Sequence, residues 1–333
     1  MANGSITIQG DNNQALRATN GQPGVNVTGT AGPDIINGSD GNDSLETLGG
    51  DDTIFGSLGQ DTVNGGADSD TVDYSSVDGT ITLFPKGELG NEDPEKSQLI
   101  DMETIIGASD KPNTIDASEI TSDLGANLDV NLGTNKLTVE NIPNLGTQNF
   151  TVQNFVNVSG TQNQDIIIGN NEANTINGND GNDALTGSGG NDVLTGGGGN
   201  DTLTGSDSSA KGIRELDTLE AGGGTDKFVL GDDSGTFYGT QGNEDFATIN
   251  DFAAGDQIQL GVGETYQIER GNGNFKLFVT TGETKDLIAD VTFGSSSADN
   301  ARSSTASSED VLAGVPEGDF SVDSGEELGI FVG

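Results

Sequence analysis

A nine-residue period governs this chain. Read in nines from Gly29, the sequence runs GTAGPDIIN, GSDGNDSLE, TLGGDDTIF, GSLGQDTVN and GGADSDTVD. The period returns at Gly160 as GTQNQDIII, GNNEANTIN, GNDGNDALT, GSGGNDVLT and GGGGNDTLT. Two more units, GIRELDTLE and AGGGTDKFV, follow an irregular stretch. Position six is Asp in eleven of the twelve units: Asp34, Asp43, Asp52, Asp61, Asp70, Asp165, Asp183, Asp192, Asp201, Asp217 and Asp226, with Asn174 in the remaining one. Position eight is apolar in all twelve. A glycine-rich disordered linker has no reason to hold either position. Stacked coils do, because each unit buries its apolar residue only against its neighbours.

The residue types within a unit point to a chemistry. Glycines at positions one, two and four permit positive φ, so a tight turn can aim several carbonyls at one point. Asp at six adds a carboxylate there. The triplet around position eight reads as a very short strand with its apolar residue inward. Turn and strand use nine residues, so a full coil takes two units, and turns eighteen residues apart stack. The expected stacked pairs are Asp34 with Asp52, Asp43 with Asp61, Asp52 with Asp70, Asp165 with Asp183, and Asp183 with Asp201. Calcium takes about six to eight oxygens at flexible geometry, more than one turn supplies but within reach of two. The candidate ligands are therefore the eleven position-six aspartates and Asn174, whose neutral amide weakens its site with Asp192. Asp40 and Asp180, at position three, add oxygens or sit in solvent. Backbone carbonyls come from Gly38, Gly41, Gly56, Gly59, Gly178, Gly181, Gly187, Gly189, Gly196 and Gly198.

Composition agrees. The chain has 333 residues, 54 acidic against 12 basic side chains and a formal charge of −42. With only 31% hydrophobic residues, it would read as disordered unless cations neutralise the carboxylates on folding. The charge repels nucleic-acid phosphate and anionic lipid, so neither nucleic-acid binding nor membrane insertion is expected. His and Cys are absent, which excludes a Ser-His-Asp relay, imidazole and thiolate metal sites, a thiolate nucleophile and disulfides. The first residues carry neither a basic segment nor an apolar run, so no cleavable secretory signal is expected there.

The repeat resembles the RTX, or haemolysin-type, calcium-binding nonapeptide G-G-x-G-x-D-x-U-x. The phrases NTIDAS (113–118) and FVNVSGT (155–161) are similar to segments of large cyanobacterial RTX proteins. The resemblance implies an all-β fold, a parallel β-roll or β-solenoid holding several calcium ions. It also implies export by a type I secretion apparatus that reads an uncleaved C-terminal signal.

On this basis residues 1–28 are an N-terminal extension or cap, 29–73 a first β-roll and 74–159 an irregular solenoid segment with few or no ions. Residues 160–229 are a second β-roll, 230–293 a C-terminal β cap, and 294–333 a flexible tail with the secretion signal. The stretch 85–98 reads as an excursion from the stack. The spacing of sixteen between Asp201 and Asp217 predicts a break in register, with a loop or helical turn around 210–216. The tail, or residues 5–9, can add a strand to a neighbouring copy. Seven of the 13 Phe and two of the three Tyr fall in 228–293, as a packed cap requires.

The expected function is that of a secreted, non-enzymatic calcium-binding structural or surface protein. Its roll folds on ion uptake outside the cell, and two arrays bracketing a solenoid make a rod able to assemble head to tail into filaments or a layer. The alternative is an adhesin or carbohydrate-binding protein using Tyr238 or Tyr266. A polysaccharide-modifying enzyme ranks lower, because the four Arg (Arg17, Arg214, Arg270, Arg302) form no recognisable constellation.

Overall fold

The computed structural model describes residues 4–7, 15–17, 24–85, 88–90, 96–121, 125–142, 146–208, 214–239, 244–271, 273–294, 320–321 and 328–329. Among these residues the elements are β-strands and one 3-10 turn, Leu132–Thr134. The chain forms two compact units, one of residues 1–119 with 134–157, the other of 120–133 with 158–333.

In both units the repeats make short parallel strands, two per coil. Thr53–Phe55 pairs with Ile35–Asn37 and with Thr71–Asp73, eighteen residues before and after. Ser44–Glu46 likewise pairs with Val25–Thr28 and Thr62–Asn64. In the second unit Ala184–Ser188 lies between Ile166–Ile168 and Thr202–Ser206, while Val193–Gly198 pairs with Thr175–Asp180. Thr-Ile, Thr-Val and similar β-branched pairs favour the extended backbone, and the glycine turns limit many strands to three residues. Position eight is at most 2% exposed in all twelve units, so the core is a stack of single aliphatic rungs, with Phe228 as the last. Burying each such side chain stabilises the coil by about 1.5–3 kcal/mol.

The first unit has additions at its N-terminal end. Gly4–Thr7 pairs in parallel with Val25–Thr28, and Ala15–Arg17 with Ile35–Asn37. Residues 5–7 of the 5–9 segment expected to add a strand to a neighbouring copy thus pair within their own chain; 8 and 9 lie outside the described residues. The 85–98 excursion includes Glu88–Gly90, antiparallel to both Thr82–Phe84 and Lys96–Ile100. Lys96–Ile100 then rejoins the stack on Thr62–Asn64. A second hairpin, Lys136–Ile142 with Gly146–Gln153, docks its second strand in parallel on Thr104–Ile106.

In the second unit the coils lengthen without losing register, which corrects the expected break. Leu216–Gly223 stacks on Val193–Gly198, Thr218 lying opposite Val193, so the coil has grown to 25 residues. Arg214 is a turn and Leu216 already strand; 209–213, the rest of the expected loop or helical turn, lie outside the described residues. The next coil reaches Phe246–Phe252 and Gln257–Gln259, after 30 residues.

The stack ends in an antiparallel meander, Thr265–Arg270, Asn274–Thr281 and Thr284–Phe293, whose last strand runs parallel to Phe246–Phe252. Phe228, Phe252, Phe275 and Phe293 fill this end, with neighbouring ring centroids 5.7–6.5 Å apart. Tyr238 and Tyr266 are fully buried there, which removes them as a sugar-stacking surface. Within the expected flexible tail, Phe320–Ser321 pairs with Thr265 and Tyr266, and Leu328–Gly329 with Gln257 and Ile258. The rest of 295–333 lies outside the described residues.

Candidate metal centre

Every position-six side chain folds into its own turn, and all twelve are at most 4% exposed. One oxygen of each pair's second member receives a backbone N–H from the coil before. Asp34 N–H donates to Asp52 Oδ1 at 2.7 Å, Asp52 to Asp70 at 2.9 Å and Asp43 to Asp61 at 2.9 Å. Asp165 donates to Asp183, Asp183 to Asp201 and Asn174 to Asp192, each at 2.8 Å. The turns expected to stack are therefore in contact.

The ladder extends beyond what the nonapeptides reveal. Asp192 donates to Asp217 and Asp201 to Asp226, each 25 residues on. Asp226 donates to Asp256 after 30 residues. Asp256 was missed by the reading in nines, although it sits two residues before the buried Ile258, the same Asp-to-apolar spacing as in every unit. In the first unit Asp61 N–H ends on Ser97 Oγ and Asp70 N–H on Glu103 Oε2. Those partners lie 36 and 33 residues away, where no fixed period finds them. Asp40, in a bend, and Asp180, at the end of the strand Thr175–Asp180, are exposed and do not join the buried column.

The other oxygen is the informative one. Oδ2 of Asp52, Asp70, Asp183, Asp192, Asp201 and Asp226 is buried with no hydrogen-bond partner. Such an atom costs free energy unless a cation or a proton meets it. Burial accordingly pushes these carboxyls up: Asp192 to about 8, Asp183 to about 7, Asp70 and Asp201 to about 6, with backbone N–H donors opposing the shift. Asp61 rises to about 7 and Asp165, Asp217 and Asp256 to about 6, again through burial first.

Position-one glycines mark where a cation fits. A β-carbon added at Gly160, Gly178, Gly187 or Gly196 would stand within 2.7 Å of two oxygens, the Oδ2 of its own Asp and a backbone carbonyl one coil on. For Gly178 these are Asp183 Oδ2 and Gly196 O; for Gly187, Asp192 Oδ2 and Gly205 O. Two anionic or dipolar oxygens converging at such a range suit a hard cation such as calcium. Among the described residues no group of three or more acidic side chains converges to hold a metal. Backbone carbonyls such as Gly196 O and Gly205 O would add oxygens of the kind calcium accepts.

The glycine conformations depart from the expectation. Positive φ falls at positions two and four, as at Gly197 (112°) and Gly199 (133°), but not at position one. Glycine stands at position one because a side chain would fill the point just described. Position-five residues make a second, outer ladder: Asn42 accepts from Gln60 N–H and Asn200 from Thr225 N–H, which explains these asparagines structurally.

Residues 26–54, 38–72, 46–81, 159–194 and 177–209 match the family model described as "RTX calcium-binding nonapeptide repeat (4 copies)". These segments are RTX repeats. RTX nonapeptides bind calcium in multiple copies, and the buried unpartnered oxygens of this RTX stack fit that ion. No curated protein matches the chain. A solved structure, the extracellular lipase LipA from Serratia marcescens, is similar at 16% identity with a TM-score of 0.25. The likeness covers 82% of this chain and 38% of that lipase chain.

Proposed function

We propose that this RTX β-roll is a secreted, non-catalytic calcium-binding structural protein of the extracellular space or cell surface. The observation that carries the reading is the column of buried position-six carboxylates with an unpartnered oxygen. A chain of charge −42 that buries carboxylates needs cations to fold. Asp Oδ2 atoms and position-one carbonyls would hold calcium, which would supply the positive charge that the buried carboxylates need. In calcium-poor cytosol the chain stays open and can pass a type I secretion apparatus; in calcium-rich surroundings it closes. Assembly into filaments or a layer is the further step, supported by strand-edged coils that can continue from one copy to the next.

Sedimentation velocity in millimolar calcium and in chelator tests this. A loose monomer in chelator that becomes large ordered particles in calcium supports the whole reading. A compact calcium-loaded monomer that never grows refutes the assembly step. A chain equally compact in both refutes calcium-driven folding.

A further inference from the structure

The twelve turns are not equivalent, and two positions separate them. The six aspartates whose Oδ2 lacks a partner are those whose unit has a left-handed residue at position two: Leu48, Gly66, Asn179, Ser188, Gly197 and Gly222, with φ between 74° and 112°. Among the described position-two residues the match is one to one; Ile213, in the Asp217 unit, lies outside them. In five other turns, position two closes onto the position-six side chain. Thr30, Ser39 and Thr161 each donate their N–H to the Asp Oδ2 of their unit at 2.6 Å. Ser57 donates its hydroxyl to Asp61 Oδ2, and Asn170 its N–H to Asn174 Oδ1. A left-handed residue turns that donor away and leaves the oxygen bare.

Position one makes the second cut. Two of the six turns carry a side chain there instead of glycine. Thr47 is fully buried and donates its hydroxyl to Gly65 O at 2.5 Å, so it already satisfies the carbonyl facing Asp52. Ala221, stacked on Gly196, places a methyl in the turn of Asp226. Elsewhere the same point is filled from outside the turn. Tyr238 donates its buried hydroxyl to Asp217 Oδ2 at 2.5 Å, beside Gly205. At Gly107 the Asn113 amide occupies it and donates to the carbonyls of Ala108 and Asn154 at 2.7 and 2.6 Å. Hydroxyl, amide and methyl thus fill the point that a cation would take in an open turn.

We infer that a turn of this chain takes up calcium only where position one is glycine and position two is left-handed, which selects the turns of Asp70, Asp183, Asp192 and Asp201. The other turns stay ion-free: at Asp52 and Asp226 position one is filled by Thr47 and Ala221, and elsewhere a donor of the chain sits on the position-six side chain, as Thr30 does on Asp34 Oδ2 although Asp34 Oδ1 is bare. Three of the four ion sites fall in consecutive units of the second array, so the two arrays differ in calcium demand although their sequences look alike. This inference rests on the calcium reading above and narrows it to particular turns.

The test is an ion count on the full chain, by native mass spectrometry and calcium titration, with circular dichroism to confirm folding in calcium. Asp192→Asn is expected to lose one ion, and Asp43→Asn to lose none. Thr47→Gly is expected to gain one, because Asp52 already has a left-handed neighbour at position two. Equal loss from Asp43→Asn and Asp192→Asn overturns the selection rule while leaving calcium binding intact. A wild-type chain that binds no calcium at millimolar concentration overturns the calcium reading and the rule together. If Thr47→Gly does not fold, the pair of Asp→Asn variants decides alone.

Discussion

Gly160, Gly178, Gly187 and Gly196 have no positive φ, yet a β-carbon on any of them would collide with a carboxylate oxygen and a backbone carbonyl. At Gly178, Gly187 and Gly196 this smallness leaves the space that an ion would take; at Gly160, Thr161 already closes onto Asp165. Gly196→Ala should therefore fold, as the natural Ala221 does one coil on, but lose part of the calcium-dependent rise in Tm, about 1–3 kcal/mol of stabilisation. Melts of wild type and variant at several calcium concentrations would show it. The same bare oxygens set the response to pH. Burial raises the folded pKa of Asp192 to about 8 and of Asp183 to about 7, above the unfolded value near 3.8. The folded metal-free chain thus holds more protons than the unfolded one between about pH 4 and 8. In chelator its Tm should be highest near pH 4 and fall as pH rises through this window, while calcium uptake at pH 7 should release protons. A metal-free Tm that climbs over the same range would contradict the burial argument. At this scale the Asp and Gly columns were legible, since both are spaced in nines. The left-handed state of Leu48, Asn179 and Ser188 was not, because nothing in these residue types demands it.

The strands follow from position eight. Each is held by one fully buried aliphatic rung and by neighbours eighteen residues away, so the loss of a rung cannot be absorbed locally. Leu194→Ala should cost about 2–5 kcal/mol. Thr195→Ala, on the half-exposed side of the same strand, should stay within about 0.5 kcal/mol of wild type. Urea unfolding in saturating calcium would separate the two. Periodicity sufficed to place these strands and to give their parallel pairing. It failed where coils changed length: the 25- and 30-residue coils hid the pairing of Asp192 with Asp217 and hid Asp256 altogether, and in the first unit Ser97 and Glu103 stand where two position-six aspartates were due. Antiparallel pieces such as Lys136–Ile142 with Gly146–Gln153 carry alternating apolar residues much like a parallel strand, so orientation was unreadable from pattern alone.

For the molecule as a whole, −42 charges and an apolar content of 31% leave little to oppose self-repulsion without cations. In chelator and low salt the chain should be largely unfolded at pH 8. Monovalent salt should restore part of its β signal by screening. Calcium should restore all of it, with stability rising as the logarithm of free calcium, as expected for a ligand that binds only the folded state. Calcium titrations followed by circular dichroism at two ionic strengths would check both. The class of protein was legible from the twelve repeats, because their period, acid and apolar column all answer one architecture. The capping end was legible only as a concentration of aromatics; that Tyr238 reaches back to Asp217 depends on tertiary packing which no local spacing encodes.

The rung from Asp192 to Asp217 is 2.9 Å long, the same as that from Asp43 to Asp61, although its coil has seven more residues. What is held constant is the contact between successive turns, and the chain between strand and turn is free in length. Such a column can accept foreign sequence during its history, one coil at a time, without renegotiating its interior. The 25-residue coil from Asp192 to Asp217 shows that a lengthened coil leaves the ladder untouched, so an old scaffold of this kind can carry a new recognition element.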